Sequence, residues 1–134
     1  MTNKILQSDF AVFIGEWYDL PIFRSLHRDQ KKLLRLKEKR RNNYPRSVAY
    51  ALGKAGLAKQ QNFWPRLSEM TMPVLLIVGE RGRKYRSFGV EMARQMPNCK
   101  NVIVPGTGHK VALEQSKKFC RRLDEFLRHN NGAG

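Results

Sequence analysis

Two stretches decide the fold: Pro73-Val74-Leu75-Leu76-Ile77-Val78-Gly79 and Val102-Ile103-Val104-Pro105-Gly106-Thr107-Gly108-His109. The first is a continuous apolar run, rich in β-branched residues, between a proline and a glycine. That pattern predicts a strand over 74–78, buried on both faces. The second predicts a short strand over 102–104, closed by Pro105-Gly106. Between them Phe88, Met92 and Met96 recur at helical spacing, and that helix must end before Pro97. Beyond them Phe119, Cys120, Leu123, Phe126 and Leu127 form a stripe at i, i+3, i+4 and i+7, with Ser116 placed as N-cap. Strand, helix, strand, helix is the grammar of a parallel α/β sheet. Two strands alone leave such a sheet short of partners, because parallel sheets need cover on both faces and several strands.

Upstream of Pro73 the pattern is helical. An aromatic stretch runs from Phe10 to Phe23, a basic segment follows, and further helical patterns cover Ser47 to Leu57 and Asn62 to Met70. Pro21, Pro45 and Pro65 punctuate them. The chain thus divides into a helical region over 1–72 and a β-α-β-α part over 73–134. No repeat or low-complexity linker joins the two.

The 134 residues leave room for one small domain, and 41% hydrophobic composition suffices for a modest core. No apolar run approaches the roughly 18 residues of a membrane span. The first nine residues lack the apolar core of a secretory signal. Cys99 and Cys120 have neither metal nor redox spacing. The composition therefore reads as soluble, intracellular and reduced, and no cofactor or metal is expected.

The charge is the outstanding compositional feature: 26 Lys and Arg against 11 Asp and Glu, a net +15. Ten of those 26 cations lie between Arg24 and Arg46, opposed only by Asp29 and Glu38. Leu33, Leu34 and Leu36 give this segment a narrow apolar stripe, so it reads as a basic amphipathic helix. Its exposed side is either a solvated helix back or a face for RNA or another acidic partner. No aromatic residues are interleaved with its densest part, Lys31 to Arg41, and no helix-turn-helix, zinc-finger or aromatic-sheet RNA-binding signature accompanies it.

The chemistry-bearing segment is Gly106-Thr107-Gly108-His109. Loops beyond the carboxyl ends of parallel strands are where α/β folds place reactive groups. A histidine there can serve as general base, because its ordinary pKa lies near neutrality. The alternative for any single loop histidine is an ordinary surface residue.

Taken together, Val78-Gly79-Glu80-Arg81 after one strand, Gly106-x-Gly108-His109 after the next, and Leu113-Glu114-Gln115 before a closing helix resemble the C-terminal end of α/β-hydrolases. Upstream, Trp17-Tyr18-x-x-Pro21-x-Phe23-x-Ser25-Leu26, Arg41-Asn42-Asn43, Ala49-x-x-Leu52, Gly56, Gln61, Trp64 and Leu67 narrow the resemblance. Together they are similar to the 2-succinyl-6-hydroxy-2,4-cyclohexadiene-1-carboxylate synthases of menaquinone and phylloquinone biosynthesis, from about Phe10 to His129. The resemblance implies a partial α/β-hydrolase fold: cap helices plus the last two strands. It also implies proton abstraction by a Ser-His-Asp triad, followed by pyruvate elimination. His109 would be the triad histidine. Trp17 and Tyr18 would line the substrate pocket, or simply pack the cap helix. Arg40, among Lys39, Arg40 and Arg41, would clamp a carboxylate of the small polyanionic substrate. Lys84 would assist orientation or face solvent. The implied compartment is cytoplasmic, or the matrix of a plastid or other organelle in a eukaryote.

The chain departs from that pattern in two places. The position expected to hold the triad acid is Gly82, with Glu80 two residues earlier on the same loop. No Gly-x-Ser-x-Gly turn occurs in these 134 residues, so neither nucleophile nor oxyanion loop is present in them. Three readings follow and stay open. The chain is a split half that needs an N-terminal half or another chain to complete the sheet. Or it is a non-catalytic basic subunit, a pseudoenzyme, that binds RNA or an acidic partner. Or its reading frame begins upstream of Met1. A free strand edge at 74–78 predicts association when the chain is alone.

Overall fold

The computed structural model describes residues 5–6, 9–56 and 60–131. Leu57, the end of one expected helix, and part of the first nine residues lie outside them. Two compact units are present, Met1–Asn62 and Phe63–Gly134.

The first unit is helical. Helix α1 (Phe10–Asp19) opens on Asp9, whose carboxylate accepts the Ala11 amide N–H at 2.8 Å. It stops before Pro21, and the chain continues as a 3-10 helix over Pro21–Arg28. Helix α2 (Gln30–Arg41) is capped by Asp29, which accepts the Lys32 amide N–H at 3.0 Å. That bond, first, and the Lys32 charge hold the Asp29 carboxyl below its ordinary pKa. Helix α3 (Pro45–Lys54) begins with proline in its first turn, where the absent N–H has no intrahelical partner to lose. Phe13, Ile14, Tyr18, Phe23, Leu26 and Leu33 form the buried interior of this unit. The ring centroids of Tyr18 and Phe23 lie 5.0 Å apart, those of Phe13 and Trp17 5.9 Å.

The second unit opens with a 3-10 helix, Trp64–Glu69, rather than the longer helix that the pattern over 62–70 suggested. Strand β1 (Val74–Gly79), helix α4 (Arg83–Gln95), strand β2 (Cys99–Val104), a single turn α5 (Val111–Glu114) and helix α6 (Ser116–Asn131) follow. The strands pair in parallel, from Val74 opposite Cys99 to Gly79 opposite Val104. Helix α4 ends before Pro97, and Met96, buried, closes it. The order strand, helix, strand, helix expected after Pro73 is present, and the fold is α/β.

Two expectations are corrected. Val74 to Val78 are half-buried, not buried on both faces. The sheet has two strands, so β1 has a β-partner on one edge only, and the cover over its faces is incomplete. Ser116 lies inside helix α6, not before it. The Gln115 carbonyl accepts the Phe119 amide N–H at 2.9 Å, which puts Gln115 at the half-in position. The apolar stripe of α6 stays largely uncovered: Leu123 and Leu127 are 38% and 47% exposed.

Glycine is required at one position for close packing and makes room at another. A Cβ on Gly79 would collide with the Gly108 carbonyl oxygen, so the end of β1 touches the histidine loop itself. A Cβ on Gly89 would lie 3.1 Å from Asn101 Oδ1 and 3.3 Å from Val78, which brings α4 close onto the sheet.

Candidate functional site

The site candidate lies where both strands of the second unit end. Beyond β2, Gly106 takes a positive φ of 74°, a conformation that suits glycine. The turn continues into Thr107, buried, whose hydroxyl donates to the Val104 carbonyl at 2.7 Å. The loop after β1 is tied to this turn along its length. The Glu80 amide N–H donates to the Val104 carbonyl at 3.1 Å and the Arg81 amide N–H to the Thr107 carbonyl at 2.9 Å. In return the Gly106 amide N–H donates to the Glu80 carboxylate at 2.8 Å.

A second carboxylate secures the far side of the loop. Glu114, on α5, accepts the amide N–H of Gly108 at 2.9 Å and that of Lys110 at 3.3 Å. These are the two neighbours of His109, so one side chain fixes the backbone on both sides of the imidazole. The ring itself meets Tyr85, from the first turn of α4, at a centroid separation of 4.7 Å and an interplanar angle of 39°. Tyr85 in turn meets Phe88 edge-on at 6.3 Å, and Phe88 meets Trp64 at 5.7 Å. The Lys84 ammonium stands over the Phe88 ring, 5.6 Å from its centroid.

Partial desolvation pushes the His109 pKa below the ordinary 6.5, and Lys110 adds to this, while Glu114 opposes both. The neutral imidazole is thereby favoured near neutral pH, the form that can accept a proton. His109 is exposed despite these neighbours, so it can be reached from outside.

Gly82 caps α4 at φ −81°, a conformation open to any residue, and its carbonyl accepts the Arg86 amide N–H at 2.9 Å. It brings no carboxylate to the loop. Trp17, Tyr18 and Arg40 belong to the first unit. Tyr18 is buried and Trp17 half-buried in the same aromatic cluster with Phe13 and Phe23, whereas Arg40 is exposed on the last turn of α2. The Cys99 thiol is pushed up by burial, away from the reactive thiolate. Among the described residues no group of His, Cys, Asp and Glu could hold a metal ion, and no helix is long and apolar enough to cross a membrane.

The contributions of Tyr85 and Glu114 to this site were not evident from their types or positions. Tyr85 stands three residues after Gly82, but its ring contact with His109 spans 24 positions of chain. Glu114 lies in the Leu-Glu-Gln motif, yet its hold on two backbone amides is a matter of loop geometry.

No family model matches the chain. A Bacillus subtilis relative assigned to the 2-succinyl-6-hydroxy-2,4-cyclohexadiene-1-carboxylate synthases is 32% identical over 128 residues, covering 95% of this chain and 47% of its own. The Escherichia coli K12 synthase is 29% identical over 126 residues, covering 94% and 47%. The solved structure of MenH from S. aureus superposes with a TM-score of 0.93 at 27% identity, over 97% of this chain and 49% of MenH. The chain is a homologue of the C-terminal half of MenH. It spans about half the length of the curated synthases it matches. Its β-α-β-α part is the end of the α/β-hydrolase fold as MenH builds it, and the helical first unit lies within the same superposition.

Proposed function

We propose that this chain provides the histidine-bearing half of a MenH-type site, together with its helical cap. In this reading the nucleophile and the oxyanion donors come from residues outside these 134. The observation that carries it is the match to half of MenH at a TM-score of 0.93, with His109 on the loop that leaves β2.

In the completed site His109 takes the proton of a serine hydroxyl as the activated oxygen removes a proton from the cyclohexene substrate; the electron pair of that C–H bond forms a ring double bond, the bond to the leaving group breaks, and the departing pyruvate enolate takes up the proton held by the imidazolium. The depressed pKa of His109 suits the first step, because the ring is neutral and ready to accept. Glu80 and Glu114 have a structural part on this loop, and Glu114 also lies close enough to His109 to favour its protonated form. Both spend carboxylate oxygens on backbone amides, and so hold the loop in place. Trp17 offers its half-buried ring to the substrate, Tyr18 packs with it against Phe23, and Arg40 binds a substrate carboxylate. The open edge of β1 receives the strand that completes the sheet.

A second reading rests on Gly82. A site without an orienting carboxylate loses about four orders of magnitude in the serine-protease template, so this half can bind without turning over. Co-expression with the nucleophile-bearing half of the Bacillus subtilis relative tests both. Complex formation with His109-dependent pyruvate release supports the catalytic reading; a folded complex without release supports the non-catalytic one.

A further inference from the structure

The mechanism above uses one cation of the first unit, Arg40. The strongest charged surface of that unit is left without a role. Arg24, Arg28, Lys31, Arg35, Lys39, Arg41 and Arg46 are all exposed. None of them forms an ion pair among the described residues: Asp19 pairs with Lys37 and His27 and Asp29 with Lys32, Lys31 feels Asp29 only weakly, and Glu38 is the one other carboxylate on α2. On α2, Lys31, Arg35 and Lys39 recur at i, i+4 and i+8. At about 1.5 Å rise per residue they form a row about 12 Å long on one helix face.

Directly after α2 the chain presents aromatic rings to solvent. Tyr44, at the start of α3, is 80% exposed, and Tyr50 is 69% exposed. Arg46, Tyr50 and Lys54 stand at i, i+4 and i+8 of α3 and are all exposed, a cation, a ring and a cation on one face. A tyrosine this exposed gains nothing from core burial. Beside unneutralised cations it has the chemistry of a stacking platform for bases. The densest part of the basic run, Lys31 to Arg41, contains no aromatic residue, but Tyr44 lies between Arg41 and Arg46, and the structure shows that it and Tyr50 stand in the open after α2.

We infer that α2 and α3 of the first unit form a binding face for single-stranded nucleic acid. The cation row tracks the phosphates, and Tyr44 and Tyr50 stack on bases. Flat stacking without hydrogen-bond readout makes the face tolerant of sequence. This role uses cations other than Arg40 and does not require the His109 site to be complete.

The test is fluorescence anisotropy of a labelled oligouridylate with the 134-residue chain, between about 50 and about 200 mM salt. Inorganic polyphosphate and phosphatidylserine vesicles serve as competitors. The oligonucleotide is expected to bind with an affinity that falls steeply with salt. The variant with Lys31→Gln, Arg35→Gln and Lys39→Gln should lower the slope of log affinity against log salt by about two, at about 0.7 per phosphate contact. The variant with Tyr44→Ala and Tyr50→Ala should weaken binding about fivefold or more per ring, with the salt slope unchanged. All five positions are exposed, and circular dichroism checks that each variant stays folded. Absence of binding overturns the inference. So does equal binding of polyphosphate with no effect of the tyrosines, or a preference for the vesicles over the oligonucleotide.

Discussion

The Glu80 carboxylate accepts the Gly106 amide N–H at 2.8 Å, and so joins the loop that follows β1 to the loop that carries His109. Twenty-six residues separate the partners, and the bond lies at the ends of two paired strands. Glu80 is therefore a brace for the histidine loop.

Glu80→Ala removes that acceptor and leaves the Gly106 amide to water. The bond is exposed, so the expected loss of stability is modest, about 1 kcal/mol. The sharper expectation is local: faster hydrogen exchange at Gly106, with the protection of β1 and β2 amides unchanged. Equal protection at Gly106 in both proteins would show that the brace is immaterial.

Gly79→Ala should be far more damaging. Its Cβ would collide with the Gly108 carbonyl and fall 2.7 Å from that of Thr107, both backbone atoms that cannot swing away. Overpacking of this kind costs about 1–3 kcal/mol, and relief requires the His109 loop to move. Urea unfolding would register the loss, and the His109 ring resonances would shift with it.

Asn101→Val should stabilise the chain. Asn101 Oδ1 is buried on β2 beneath Gly89 and has no hydrogen-bond partner among the described residues. An unsatisfied buried acceptor costs about 1–3 kcal/mol, and a β-branched apolar side chain of smaller reach suits the same strand position. A rise of about 1 kcal/mol in urea unfolding is expected. A fall would mean that the amide is better solvated than its surroundings suggest.

The pH dependence of stability carries the signature of His109. Its folded pKa lies below the ordinary 6.5, so between the two values the unfolded chain holds more protons than the folded one. Stability from this group is present above about pH 6.5 and falls as pH drops through that value. The fall levels off below the folded pKa. His109→Gln should flatten this part of the profile, measured as unfolding free energy from about pH 8 to about pH 5.

Patterns local in sequence were the legible ones. The apolar run over 74–78, the stop before Pro97 and the Gly-x-Gly-His loop are short-range signals, and each gives its element directly. Burial of β1 falls short of its apolar composition because composition reports what a strand needs, not what covers it. Gln115 displaced Ser116 as the residue at the start of α6 because the preceding turn α5 supplies its carbonyl. The brace from Glu80, the grip of Glu114 and the ring of Tyr85 all depend on chain segments meeting in space. No spacing in the sequence announces them.

The central claim is that these residues form the histidine half of a MenH-type site that lacks its acid. Gly82 has room for one: a Cβ there meets only the Gly79 carbonyl, at 3.4 Å, and φ is −81°. The most direct measurement is the rate of pyruvate release by this chain combined with the nucleophile-bearing half of the Bacillus subtilis relative, with Gly82 and with Gly82→Asp. The account predicts a rate that rises with the aspartate by up to about four orders of magnitude and vanishes when His109→Ala is added. Equal rates with and without the aspartate, or release that survives loss of His109, would contradict it.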